Sequence, residues 1–167
     1  MAGTATNIPG LSTLGVKFGY AVETAKGTKP TKFTQLQRCN SISGITLDVE
    51  QIDASALEDE ISRYVAGRQD TGGTWSVTFN LTPDVVEELN KMIEAYKTGR
   101  ESEFNTWFEV WHPSMSDGFF VVAEPPLHIP MPEIGQNELQ TVEMTFTINE
   151  YKGMDTAIEP EIAGAEF

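Results

Sequence analysis

The sequence predicts a mainly β fold, a β-sandwich or barrel with one flanking α-helix packed outside it. Three observations carry this. Strand-like alternation of apolar and polar residues recurs at 14–22, 44–53, 74–82 and 139–151. Two further segments, FNTWFEVWH at 104–112 and GFFVVAE at 118–124, are apolar on both faces and so need cover on both sides. Only one stretch, 83–98, joins helical periodicity to matching signals at both ends.

Taken in order, residues 1–13 are small and polar, with Pro9 and Gly10, and read as an N-terminal arm. Leu14, Val16, Phe18, Tyr20 and Val22 then share one face of a half-buried strand. Gly27 and Pro30 interrupt it, and FTQLQRCNSISG holds room for a shorter strand. In GITLDVEQID, Ile45, Leu47 and Val49 alternate with Thr46, Asp48 and Glu50. A long inter-strand loop follows over 53–73. Within it Ser55 and Glu58 have capping-box spacing, and Leu57, Ile61, Tyr64 and Val65 recur at helical intervals, which predicts a short helix ahead of Gly67.

The next strand, TWSVTFNLT, turns Trp75, Val77, Phe79 and Leu81 inward. Thr82 is placed to cap the helix at 83–98, and Pro83 suits its first position. Asp84, Glu87 and Glu88 crowd its positive end, while Lys97 and Arg100 flank the negative end. One apolar stripe, from Val85 or Val86 through Leu89 and Met92 or Ile93 to Tyr96, faces the sheet. Of the two doubly buried strands, the first sets Phe104, Phe108 and Val110 opposite Trp107 and Trp111. PPLHIPMPEIGQ is a proline-broken connection. The last long strand sets Val142, Met144, Phe146 and Ile148 against Glu143, Thr145, Thr147 and Asn149, and the acidic residues 152–167 read as a C-terminal arm.

Composition narrows the function. Eleven Lys and Arg face 25 Asp and Glu in 167 residues, a formal net charge of -14. Such a surface repels polyanions, which argues against DNA binding by phosphate neutralisation. The single cysteine, Cys39, allows no intrachain disulfide and reads as a small buried hydrophobe. The opening residues lack the basic and apolar regions of a signal peptide, and no apolar run is long enough to span a bilayer, so no membrane partner is expected. His112 and His128 stand apart without metal-ligand spacing, so neither a metal nor a cofactor is expected. Neighbouring acids such as Asp48 with Glu50, or Glu58 to Glu60, do not supply the separation across a cleft that a glycosidase pair requires. No nucleophile elbow or phosphate loop is present, and no enzyme activity is expected.

Three strands pair an apolar face with one of small polar or acidic residues. The polar sets are Thr46, Asp48 and Glu50; Ser76, Thr78 and Asn80; and Glu143, Thr145, Thr147 and Asn149. Polar faces of antiparallel sheets commonly meet solvent. These contain no Lys or Arg, which makes a hydrated, acidic surface without side chains that grip phosphate.

The order of features over 45–93 resembles the major tail tube proteins of long, non-contractile-tailed bacteriophages. A strand ends in Ile52–Asp53, a polar loop follows, and Tyr64-x-x-Gly67 leads through RQDTGG to a strand of alternating Thr and aromatic residues. A helix opened by Pro83–Asp84 comes next, and ELQTVEMTFTINEY is similar to the closing strand of that family. The resemblance implies a tail-tube domain over 14–151 and a structural virion protein whose subunits form hexameric rings stacked into a tube for DNA ejection. It implies that Asp48, Glu50, Thr78, Asn80, Glu143, Thr145 and Thr147 line the lumen. It further implies that the loop at 53–73, with Leu57, Ile61, Tyr64, Val65 and Arg68, reaches neighbouring subunits. Its implied partners are further copies of the chain and tape-measure, tail-terminator and tail-tip proteins, with double-stranded DNA in non-sticking passage. The expected location is the virion tail, assembled in the host cytoplasm. A type VI secretion-like tube protein and a carbohydrate-binding β-sandwich using Trp107 and Trp111 remain as alternatives, with an acid-dependent hydrolase as a third class.

Overall fold

A computed structural model describes residues 9–163. In chain order the elements are β1 (Lys17–Val22), β2 (Thr34–Leu36), β3 (Cys39–Ile42), β4 (Asp48–Asp53), β5 (Tyr64–Asp70), β6 (Thr74–Asn80), α1 (Pro83–Glu101), β7 (Thr106–Trp111), β8 (Asp117–Glu124) and β9 (Thr141–Thr156). Seven strands form one sheet in the order β2-β1-β7-β8-β9-β6-β3, with every pairing antiparallel, and β4 with β5 forms a separate two-stranded hairpin. The fold is mainly β with α1 on its flank, as the sequence predicts. The sheet does not close into a barrel, because β2 and β3 are not paired to each other.

The sheet curls strongly nonetheless. β1 and β6 stand four positions apart in the strand order, so in a flat sheet they would lie roughly 19 Å from each other at the usual strand spacing. Yet the Phe18 ring of β1 lies 5.5 Å from Trp75 and 6.0 Å from Phe79, both on β6, centroid to centroid. Phe108 and Phe146 complete the cluster, 4.7 Å apart. The inward aromatics hold the two ends of the sheet face to face, giving a sandwich from one coiled sheet.

The chain itself ties the two rims together. β2 and β3 are the opposite edges of the sheet, and only Gln37 and Arg38 join them. Arg38 adopts a left-handed conformation, φ 59°, to make the corner. Glu88 of α1 fixes it, accepting from the Gln37 backbone N–H at 2.9 Å and from its Nε2 at 2.8 Å. The helix begins where the capping signals put it, with the Thr82 hydroxyl accepting from Val85 N–H at 3.2 Å. Val85, Leu89, Met92, Ile93 and Tyr96 are its buried stripe.

The outer face of the sheet is divided in two. Over β1, β7 and β8 it is covered by the β1–β2 connection and by residues 157–163, enclosing Ala21, Phe33, Trp107, Phe120 and Val122 with Ile158 against them. Two acids lie within this cover. Glu23 accepts from Asn105 N–H and from Trp107 Nε1, each at 2.9 Å, and Glu109 of β7 is 0% exposed. Over β9, β6 and β3 the same face is bare and polar.

Four expectations need correction. No helix forms ahead of Gly67: Tyr64–Asp70 is β5, paired to β4 from Asp48↔Asp70 to Asp53↔Tyr64. Ser55 is no helix cap; its Oγ accepts from Arg63 N–H at 2.7 Å, and Ala54 N–H donates to Arg63 O at 2.8 Å, closing a hairpin turn. The inter-strand loop is therefore 54–63 rather than 53–73. The apolar face expected of GITLDVEQID is buried only at its start: Ile45 packs against the core, whereas Leu47 and every β4 residue are exposed. β9 runs to Thr156, past the expected start of the C-terminal arm. Of the expected arms, residues 1–8 and 164–167 lie outside the described residues.

Candidate assembly surface

Two surfaces carry the residues singled out in the sequence. The first is the bare polar face. Antiparallel pairing of β6 with β9 sets Thr78 opposite Glu143, Ser76 opposite Thr145 and Thr74 opposite Thr147. The hydroxyls of Ser76 and Thr145 lie 3.5 Å apart, and Asn40 Nδ2 donates to Asn80 Oδ1 at 2.8 Å, which carries the face onto β3. Thr78, Asn80, Glu143, Thr145 and Thr147 thus form one continuous surface, because alternate residues of paired strands point the same way. No Lys or Arg falls within Cys39–Ile42, Thr74–Asn80 or Thr141–Asn149. Asp48 and Glu50 do not join this surface, for β4 belongs to the separate hairpin.

The second surface is that hairpin. Leu57 at its tip is fully exposed and Ile61 is 80% exposed, while Tyr64, Val65, Val49 and Ile52 are each about half exposed. Arg68 is exposed beside them. Hydrogen bonds close the turn despite this exposure. The Asp59 carboxylate accepts from Ala56 N–H at 2.8 Å, and the Ser55 side chain and backbone together hold the Asp53 carboxyl below its usual range. The hairpin thus displays apolar residues on a hydrogen-bonded frame.

Two solved structures resemble this arrangement. The chain aligns over 93% of its length, and 97% of the other chain, with a component of the anti-feeding prophage cap, a tube-terminating cap, at 14% identity and a TM-score of 0.55. The two chains share a fold. A component of the anti-feeding prophage baseplate aligns over 91% of this chain and 97% of its own, at 15% identity and a TM-score of 0.46. No protein-family model matches the chain, and no curated protein sequence matches it.

Other surfaces escaped the sequence reading. The β8–β9 connection exposes Met131 at 87%, together with Leu127, Ile134 and Leu139. The signal was present as apolar residues between prolines, but a broken strand and a sticky loop read alike. At the mouth of the curled sheet a groove of about 720 Å³ is lined by Phe18, Ile42, Trp75, Val110, Phe119 and Tyr151 among others, with no Asp, Glu, Lys or Arg. Burial pushes the Cys39 thiol at this groove up to about 12.

The tryptophans do not form a sugar platform. Trp75 and Trp107 are buried, and Trp111 is half-buried with Lys17 Nζ 5.1 Å from its ring centroid. Among the described residues no group of three His, Cys, Asp or Glu could hold a metal ion, and no helix is long and apolar enough to cross a membrane.

Proposed function

We propose that this chain is a structural subunit of a phage-tail-like tube, and that catalysis is no part of its work. The observation that carries the reading is the β4–β5 hairpin, which exposes Leu57, Ile61, Tyr64 and Val65 while pairing with no other strand among the described residues. Covering such apolar area with another surface is favourable, and exposed apolar patches mark interaction sites. The fold shared with the tube-terminating cap of the anti-feeding prophage supports a role in a tail particle. On this reading copies close hexameric rings, and the hairpin of each, with Arg68, seats on a neighbour. The bare face of β6 and β9, with Thr78, Asn80, Glu143, Thr145 and Thr147, turns to the bore, and Asp48 and Glu50 of the hairpin add acid at its rim. Double-stranded DNA then meets hydrated, negative walls, so that repulsion keeps the barrier to sliding shallow. Tape-measure, tail-terminator and tail-tip proteins are the partners at the tube's ends and within it, and the location is the virion tail.

The cap likeness favours one variation, in which this chain closes a tube rather than building it. Negative-stain microscopy of concentrated protein separates the two. Stacked tubes of variable length support the tube subunit, and isolated rings support the terminator. A Leu57→Ser, Ile61→Ser variant is expected to keep the unfolding midpoint of the parent and to lose assembly. A parent chain that remains a monomer across salt and concentration refutes both readings.

A further inference from the structure

Residues 157–163, beyond the end of β9, lie as a strap across the outer face of the sheet. Ala157 N–H donates to Ser116 O at 3.1 Å. Glu159 pairs with Lys17 at 2.7 Å. Pro160 sits over Gly19, where any side chain would collide with it, since a Cβ at that position would come within 2.8 Å of the proline ring. Glu161 then makes a parallel bridge to Thr34: Gln35 N–H donates to its carbonyl at 2.7 Å, and its own N–H donates to Phe33 O at 3.0 Å. β2 is an edge strand of the large sheet, so the strap occupies the free edge at which another strand could pair.

Beneath the strap lies Glu109. Its Oε2 accepts from Ile158 N–H at 2.9 Å, and its Oε1 is buried with no partner among the described residues. The neighbouring strands give it glycine and aromatic surface, Gly19 from β1 and Gly118 and Phe120 from β8. Lys29, from the β1–β2 connection, is the cation that acts on it among the described residues. That ammonium is held elsewhere, by the Thr156 carbonyl at 2.8 Å and the Asp155 carboxylate at 3.2 Å. Asp155 is itself kept below the usual carboxylate range by the Thr156 amide and then by Lys29. Asp117, at the start of β8, is exposed, and Lys17 and Glu159 neutralise each other. The seat thus takes a carboxyl group without supplying the contacts that a carboxylate needs.

We propose that the strap is a proton-gated latch: it covers the β2 edge while Glu109 is protonated, and ionisation of Glu109 releases it. Burial raises the Glu109 carboxyl to about 7, against smaller lowering effects of the Ile158 amide and Lys29. With the strap lifted, water reaches the carboxylate. The seated state holds the proton more tightly, so by linkage seating is strongest below the ordinary carboxyl range and weakens as pH rises through about 7.

The test reads the isolated full chain and is independent of tube formation. Amide hydrogen-exchange protection factors at Ile158, Glu161 and Gln35, corrected for intrinsic rates, are measured at pH 5.5 and pH 8. The expected result is a loss of protection of about tenfold or more at pH 8, with no such loss in Glu109→Gln. Unchanged protection in the parent, or an equal loss in Glu109→Gln, overturns the proposal. A second measurement leaves both Glu109 and the Ile158 amide in place, by following the Glu109 carboxyl ¹³C shift against pH in the parent and in Gly19→Ala, whose Cβ collides with Pro160 and displaces the strap. The midpoint is expected to fall toward the ordinary carboxyl range in Gly19→Ala as water reaches the carboxyl, and an equal or higher midpoint refutes the latch.

Discussion

The curl of the sheet rests on contacts between strands that are not neighbours, and a double-mutant cycle on Phe18 and Phe79 tests it. The rings are 6.0 Å apart with planes inclined at 58°, whereas β1 and β6 in a flat sheet would stand roughly 19 Å from each other. Phe→Leu keeps each site apolar and close to its volume, so each single change should cost roughly 1 kcal/mol. An aromatic pair at this separation is worth about 0.5–1.5 kcal/mol beyond its buried area. The double variant should therefore be less destabilised than the sum of the singles by about that amount. Sites beyond contact add to within about 0.3–0.5 kcal/mol, which sets the resolution required. Urea unfolding followed by circular dichroism supplies the three differences. Additivity within about 0.3 kcal/mol would refute the coiled sheet.

Three further outcomes follow from particular contacts. Glu23→Ala leaves the Asn105 amide and the buried Trp107 Nε1 without their acceptor, and should cost roughly 2–4 kcal/mol in denaturant unfolding. Thr82→Ala removes the cap of α1 and should cost about 1 kcal/mol, read from the thermal midpoint. The Cys39 thiol, pushed up to about 12 by burial, should react with a thiolate-specific reagent at pH 8 far more slowly in folded than in urea-unfolded protein. Equal rates would place the side chain in water.

The sequence made the start and the buried stripe of the helix legible because capping residues, charges and periodicity agree: Thr82, Pro83 and the run from Val85 to Tyr96 take the roles in the structure that their pattern predicts, while the helix runs on through Gly99 to Glu101, past the expected end at 98. The inward faces of β6 and β9 were equally plain, since one side of each meets the core and the other meets solvent. The hairpin was not. Leu57, Ile61, Tyr64 and Val65 recur at helical intervals, yet they are exposed residues whose spacing no internal packing constrains. Periodicity reports burial within the chain, and here there is none to report. β2 and β3 are too short to show alternation, and their positions at opposite rims depend on the whole strand order. Glu109 was invisible for another reason. A single acid in an apolar strand looks like a solvent-facing residue until the strap that seals it is placed, and the strap arrives from 49 positions further along the chain. The polar face was read correctly as a type on β6 and β9. Asp48 and Glu50 stand apart from it, because β4 pairs only with β5 in the separate hairpin.

The two-residue corner at Gln37–Arg38 has a kinetic consequence. Because it bridges the outermost strands of a seven-stranded sheet, those strands cannot both take their places until the five between them have assembled and bent. The closing step comes late and draws together segments distant in sequence, which is the signature of slow folding. Once made, the same short bridge resists fraying from either margin, so local opening of one rim must strain the other. Newly made chains would then pass slowly through an open, adhesive stage, whereas finished ones come apart nearly all at once.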